Sequence, residues 1–267
     1  MPVTLTWVDD IATLTLDRPE RRNALSIDLW HSLRDAARSC TQARAVIVTG
    51  AGGHFCSGMD LSPDNPVVAR IAPSIMEGEE YPAFQLIKEL KDCIAALTEI
   101  PCPTFAAIEG ACVGGGLEVA LACDVRIAAK NATIGLTEVR AGMIPDLGGC
   151  VRLTRLVGPG KAADLITTAR KVSGEEAARI GFVERLAEPG EALELARAAA
   201  REVAQNAPTA VQLALNVVRV APDLGVAEAL SLETRAGVMA LISGEAREGV
   251  SAFLEKRAPD WKVVSQG

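Results

Sequence analysis

Short β-branched segments alternate with helix-periodic ones through the first two thirds of this chain, and helix-periodic segments dominate the last third. That alternation restricts the outcome to an α/β core with a helical tail, because each strand pair must bury its face beneath a helix. At 267 residues the chain is near the limit for one hydrophobic core, which predicts one main domain with a small appendage. Ala12, Leu14 and Leu16 alternate with Thr13, Thr15 and Asp17 as in a half-buried strand, and Val3–Val8 is expected to pair with it through the Asp9-Asp10 turn. After the breaker Arg18-Pro19-Glu20, Leu25, Leu29, Leu33 and Ala37 share one helical face, with Ser26 as N-cap. A strand over 45–49 runs into the glycine turn 50–53.

Residues 62–80 carry proline and several acids without a clear period and read as a loop. The stretch 79–98 places Phe84, Ile87, Leu90, Ile94 and Leu97 at helical spacing. An apolar strand is expected over 104–108, a second helix beginning near Leu117, and another strand over 124–129. From Lys161 the chain reads as Ala-rich helix broken at Gly174, Gly190, Pro208 and Pro222. Strand–strand–helix turns recur as a pattern of elements, without a clean sequence repeat.

Composition removes several function classes. A 49% hydrophobic chain is too apolar for disorder, and 3% aromatics argues against a base-stacking surface. Lys plus Arg number 27 against 34 acids, a formal charge of -7, so neither nucleic acid nor an anionic membrane is expected as a partner. The local basic spot of Arg18, Arg21 and Arg22 could still hold a small phosphorylated ligand. The 7 cysteines are odd in number, lack a C-x-x-C pair and lie mostly in apolar runs, the pattern of reduced, buried thiols. His31 and His54 share no metal spacing, so no metal site is expected. The start MPVTLTWVDD lacks a signal-peptide pattern and no apolar run reaches membrane length, which makes the cytoplasm the expected location.

Three groups of residues could carry chemistry. The turn Phe55-Cys56-Ser57-Gly58-Met59-Asp60 sets a glycine beside a strand end, where backbone N–H groups can face a ligand; a plain tight turn is the structural alternative. Gly114-Gly115-Gly116 precedes an apolar helix and exposes unpaired amides at its positive end, suited to an anion or a developing oxyanion. Close packing of helix on sheet is the alternative there, though three consecutive glycines are hard to justify by packing alone. The third group is the carboxylates Glu118, Glu138 and Asp146. Glu118 could simply complement a helix dipole and Glu138 could be an exposed loop acid, but two carboxylates meeting in a dry pocket would split their pKa values into an acid and a base. The run 158–163 matches a loose dinucleotide pattern, yet it has no clear strand before it and a proline inside, so it reads as a helix-entry turn. Neither a P-loop ending nor a G-x-S-x-G elbow is present.

In combination these segments resemble the crotonase, or enoyl-CoA hydratase/isomerase, family. Arg18-Pro19 with Asn23-Ala24-Leu25, Phe55 through Leu61, Gly110 through Glu118 with Cys123-Asp124, and the tail from Ser243 to Arg257 match its segments in order. The resemblance implies a spiral of ββα turns as a catalytic core over 1–195, and a C-terminal helical region over 196–267 that builds trimers, often paired into hexamers. It implies that the backbone N–H groups of Met59 and Gly115 form an oxyanion hole for an acyl-CoA thioester. Glu118 would activate water for attack at C3 and Glu138 would protonate C2. Coenzyme A, part of the substrate rather than a cofactor, would lie along Arg21, Arg22, Ala24, Leu25, Asp60 and Leu61. Phe253 and Lys256 would reach its nucleotide end. Two departures stand out: Leu136-Thr137 precedes the second glutamate in place of Gln-Pro or Leu-Pro, and Asp146 stands where hydratases commonly carry Gly. The implied activity is hydration of a trans-2-enoyl-CoA. Double-bond isomerisation by Glu138 and Asp146, or acyl-CoA binding without catalysis, are the alternatives.

Overall fold

The computed structural model describes residues 2–261. Its strands are β1 (Val3–Val8), β2 (Ile11–Leu16), β3 (Ala45–Gly50), β4 (Thr104–Ile108), β5 (Ala111–Val113), β6 (Val125–Ala129), β7 (Thr133–Gly135), β8 (Val172–Ser173) and β9 (Arg185–Ala187). A 6-stranded sheet has the order β1-β2-β3-β4-β6-β9, and a 3-stranded sheet the order β5-β7-β8. The β1–β2 hairpin is antiparallel, with Val8 opposite Ile11, and β2, β3, β4, β6 and β9 then run parallel. The helices are α1 (Ile27–Arg38), α2 (Pro66–Glu77), α3 (Glu80–Thr98), α4 (Gly115–Ala122), α5 (Gly149–Val157), α6 (Pro159–Thr167), α7 (Gly174–Ile180), α8 (Ala192–Ala204), α9 (Pro208–Val220), α10 (Val226–Ile242) and α11 (Glu245–Glu255).

Parallel strands need cover on both faces, and the large sheet has it. Leu14, Leu16, Val46, Val48, Ala106, Ile108 and Ala128 join the main core with α1, α3 and α4. The opposite residues Ile11, Ala45, Ile47, Phe105, Ala107 and Ile127 bury against the alanines Ala192, Ala196, Ala199 and Ala200 of α8. So β2, expected to be half-buried, is covered on both sides: even Thr13 is buried, because α8 returns over the sheet from far along the chain. The boundary expected near residue 195 falls inside α8, which runs unbroken from Ala192 to Ala204. Beyond it, α9 and α10 have no buried residue and α11 buries Glu245 and Ala252.

Local signals explain most element ends. Ser26 caps α1 by accepting from the Leu29 amide, as its position predicts. Gly158 and Pro159 open α6, so the dinucleotide-like run is a helix entry. The expected loop at 62–80 is instead mostly α2, capped by the Asn65 side chain on Val67 N, started by Pro66 and ended by left-handed Gly78. Val67, Ile71 and Ile75 recur at helical spacing along α2, but Pro73 lies inside it and reads in the sequence as a helix breaker. Phe84, expected on the buried face of α3, is exposed, whereas Leu90, Ile94 and Leu97 are buried. Strands β8 and β9 are too short to show a period and were absorbed into the expected helical run. Six cysteines are buried and all seven are free thiols. Burial pushes Cys56 and Cys123 up to about 12.

Candidate active site

Two glycine-rich turns meet beside β5. Cys56 and Cys112 form an isolated parallel bridge, with Cys56 N donating to Ala111 O at 2.8 Å and Val113 N to Cys56 O at 3.0 Å. The glycines allow the two backbones to touch. A Cβ on Gly58 would lie 2.9 Å from Val113 O, and one on Gly116 would lie 2.6 Å from Cys56 O. Leu25 bridges Met59 from the other side: Leu25 N donates to Gly58 O at 2.8 Å and Asp60 N to Leu25 O at 3.1 Å. In a parallel bridge the central residue's own N–H points away from its partner, so Met59 N faces the opposite side, where a Cβ on Gly115 would be 3.9 Å from it. Gly115 is the first residue of α4, after Gly114 at φ 56, ψ -130, and its amide is one of the N-terminal donors without an intrahelical acceptor. The two amides named from the sequence therefore lie side by side. The triplet's members differ in place: Gly114 makes the turn, Gly115 opens α4 with an amide that has no intrahelical acceptor, and Gly116 packs closely on Cys56.

All eight residues of α4 are buried, Glu118 included at 2% exposure. The Glu118 Oε1 accepts from Leu147 N at 2.8 Å and Gly149 N at 2.9 Å. Burial pushes its pKa up to about 7 against the Gly149 hydrogen bond, and the neighbouring Glu138 and Asp146 push the same way. Glu138 opens the 3-10 turn Glu138–Ala141. Both of its carboxyl oxygens are buried without a hydrogen-bond partner among the described residues. Burial raises its pKa as well; its own amide and that of Thr137 oppose the rise from outside hydrogen-bonding geometry, and Asp146 adds to it. A Cβ on Gly114 would sit 3.3 Å from Glu138 Oε1, which puts this acid against the turn that presents the Gly115 amide. The exposed-loop alternative for Glu138 therefore fails. Asp146 is half-buried and raised chiefly by burial, with Lys91 opposing. It faces a cavity of about 580 Å³ together with Lys91, Cys150 and Arg152, which neither glutamate lines.

The segment 18–25 is built around Asn23, fully buried in a left-handed conformation (φ 57). Its Nδ2 donates to Ala51 O at 2.9 Å and His54 O at 2.7 Å, and its Oδ1 accepts from Arg18 N at 2.9 Å. Arg18 donates to Ala24 O at 2.7 Å and pairs with Asp60 at 3.0 Å. Burial opposes ionisation of Asp60, but hydrogen bonds from Ser62 and Arg18 hold its carboxyl below the usual carboxylate range. Arg18 and Asp60 thus brace the turn, and the Asp60 carboxylate is turned inward to that pair. Arg21, Arg22 and Leu61 are exposed around it, while Ala24 and Leu25 are buried beneath. Phe253, 82% exposed, and Lys256, the left-handed end of α11, belong to the helical tail. The residues missed from the sequence are Leu147 and Gly149, whose amides hold Glu118, and Arg152, which donates to Leu147 O at 3.0 Å. The Gly148-Gly149 pair was their one visible signal.

His54 accepts from Ala111 N through Nδ1 and His31 pairs with Glu89 at 2.6 Å, so both imidazoles have structural partners. No group of three or more His, Cys, Asp or Glu suited to a metal occurs among the described residues. No helix among them is long and apolar enough to cross a membrane. Two neighbouring amides beside a partly unpartnered acid pair can stabilise an oxyanion while moving protons at adjacent atoms.

Comparison with known proteins identifies the family. The family model for enoyl-CoA hydratase/isomerase matches residues 8–264. A short-chain-enoyl-CoA hydratase of Clostridium acetobutylicum is 33% identical over 92% of this chain and 92% of its own. The enoyl-CoA hydratase EchA19 of Mycobacterium tuberculosis is 32% identical over 93% of this chain and 92% of its own. The crystal structure of an enoyl-CoA hydratase from Bacillus anthracis superposes with a TM-score of 0.88 at 32% identity, covering 98% of this chain and 99% of that one. The chain belongs to the enoyl-CoA hydratase/isomerase family and has the crotonase fold.

Proposed function

We propose that this protein is an enoyl-CoA hydratase that adds water syn across the C2=C3 bond of a trans-2-enoyl-CoA. The observation that carries the reading is Glu138: a carboxyl whose two oxygens are buried and without a hydrogen-bond partner among the described residues, set against the turn of the Gly115 and Met59 amides. A buried acid left without a partner is held toward its neutral form, which suits a proton donor. Glu118, raised to about 7 and gripped at one oxygen by two amides, is available as a carboxylate near neutral pH.

In the proposed reaction the thioester oxygen accepts from Met59 N and Gly115 N. Glu118 takes a proton from water as its oxygen bonds to C3. The C2=C3 electron pair moves toward the thioester oxygen as an enolate. That enolate collapses to take the Glu138 proton at C2, leaving one carboxylate protonated and the other ionised in exchanged roles. Loss of one oxyanion donor costs about 2.7–4 kcal/mol of barrier in such sites. No cofactor is required, coenzyme A being part of the substrate. Exposed Arg21 and Arg22 suit its phosphates. The exposed apolar residues Val226, Leu230, Met239, Leu241 and Ile242 of α10 support assembly into trimers or hexamers.

A second reading has one observation in its favour: Asp146 acts electrostatically on both glutamates, so a proton could pass between carbons in place of water addition. Enoyl-, 3-enoyl- and dienoyl-CoA thioesters followed by mass distinguish the two, since hydration adds water and isomerisation does not. Glu138→Gln should lower crotonyl-CoA hydration by at least about 100-fold; near-normal turnover refutes the assignment. Solvent deuterium uptake without a 3-hydroxy product, abolished by Asp146→Asn, would favour the isomerase. Tight binding without turnover on any chain length would support a non-catalytic acyl-CoA binder.

A further inference from the structure

We infer that Arg152 is a positioning residue that sets the Glu118 carboxylate by clamping the turn 147–149 from behind. The turn is held from both edges. On one edge, the amides of Leu147 and Gly149 donate to the same Glu118 oxygen at 2.8 and 2.9 Å. On the other, Arg152 Nη1 donates to Leu147 O at 3.0 Å and Arg152 N to Gly148 O at 2.8 Å. Gly148 makes room for this grip: at φ +112, a Cβ there would lie 1.9 Å from Arg152 Nη1 and 2.9 Å from its Cζ. The guanidinium therefore rests directly on the glycine, and Leu147 joins the two charges, its carbonyl accepting from the cation and its amide donating to the carboxylate.

Charge points the same way. The nearby arginines are spoken for: Arg155 pairs with Asp223, Arg219 with Asp124 and Arg126 with Glu184. Arg152 makes no direct ion pair among the described residues. Burial lowers its pKa, and the first charge opposing that effect is Glu118. A half-buried cation with no contacting carboxylate gains from acidic surroundings, and here they are acidic. The groups acting on Glu118 are Glu138 and Asp146, with Cys150 of α5 beside all three acids and Lys91 of α3 acting on Asp146; α4 itself carries no other ionisable group. Against those acids, the half-buried Arg152, whose charge Glu118 supports, is the positive group placed to favour ionised Glu118 through the turn.

The kinetic part of the test rests on the hydratase reading; the titration part does not. The full chain labelled with 13C at the glutamate carboxyl carbons is titrated by NMR, with Glu118→Gln assigning the signal, and kcat is measured with crotonyl-CoA across pH. Arg152→Gln should raise the Glu118 midpoint by at least about half a pH unit. It should lower kcat roughly tenfold or more, with KM changed by less than about threefold. Arg152→Lys, which keeps the charge but not the planar fork, should return the midpoint toward wild type while kcat stays depressed. A folded Arg152→Gln with an unmoved Glu118 midpoint and near-wild-type kcat overturns the inference. Should that variant not fold, wild-type kcat in Arg152→Lys overturns it instead. If the wild-type protein itself fails to hydrate crotonyl-CoA, the hydratase reading falls while the carboxyl titration still decides the role of Arg152.

Discussion

Replacing Glu118 with Gln should stabilise the protein at neutral and alkaline pH while abolishing the proposed chemistry. In the unfolded chain this carboxyl releases its proton near 4.5, but in the folded chain it holds the proton until about 7. Between those values the folded state binds more protons than the unfolded one. The contribution of this group to stability is therefore complete below pH 4.5 and is lost as pH rises through about 7. At about 1.36 kcal/mol per pH unit, the rise from 4.5 to about 7 corresponds to roughly 3 kcal/mol. Solvent screens little of this, because Glu118 is 2% exposed. A glutamine keeps an acceptor oxygen for Leu147 N and Gly149 N and never ionises. Urea unfolding of parent and variant, at one protein concentration to hold any assembly constant, measures the difference directly. The variant's advantage should grow by about 3 kcal/mol between pH 4.5 and pH 8. Contributions of Glu138 and Asp146 largely cancel in the comparison. A difference in stability that stays flat with pH refutes the claim that Glu118 is held in a desolvated, proton-retaining site.

Other substitutions separate close packing from chemistry. Gly116→Ala puts a Cβ 2.6 Å from Cys56 O and 2.8 Å from its Cβ, so it should cost about 1–3 kcal/mol and lower activity by displacing the Met59 turn. Gly160→Ala, with nothing within 4 Å, is the matched control and should be neutral or slightly stabilising in the same thermal-melt and turnover assays. Asn23→Ala strips three hydrogen bonds from a buried turn and should destabilise by about 2 kcal/mol or more. An unchanged melting temperature in that variant would contradict the structural role assigned to Asn23.

Features whose physics is contained in a few neighbouring residues could be read from the chain alone. Alternation in β2, the Ser26 cap and the apolar stripe of α1 each follow from one pleat or one helical turn. The glycine triplet before an apolar helix is likewise local and marks a helix end with free amides, whereas the choice of Gly115 among them came with the family resemblance. By contrast, Pro73 inside α2 masks its apolar spacing, and the two or three residues of β8 and β9 cannot show a period.

By itself the sequence determined the alternation of strands and helices in the α/β core, the two glycine turns, and the identity of three acids able to share a proton. Tertiary structure decided which acids of the site have which partners. Glu118 takes its hydrogen bonds from amides 29 and 31 residues away, Asp60 is neutralised by an arginine 42 residues before it, and Glu138 is left with no partner at all among the described residues. Burial and pairing are properties of neighbours brought together by the fold, so the proton affinities on which the proposed chemistry turns exist only once the sheets have closed over α4.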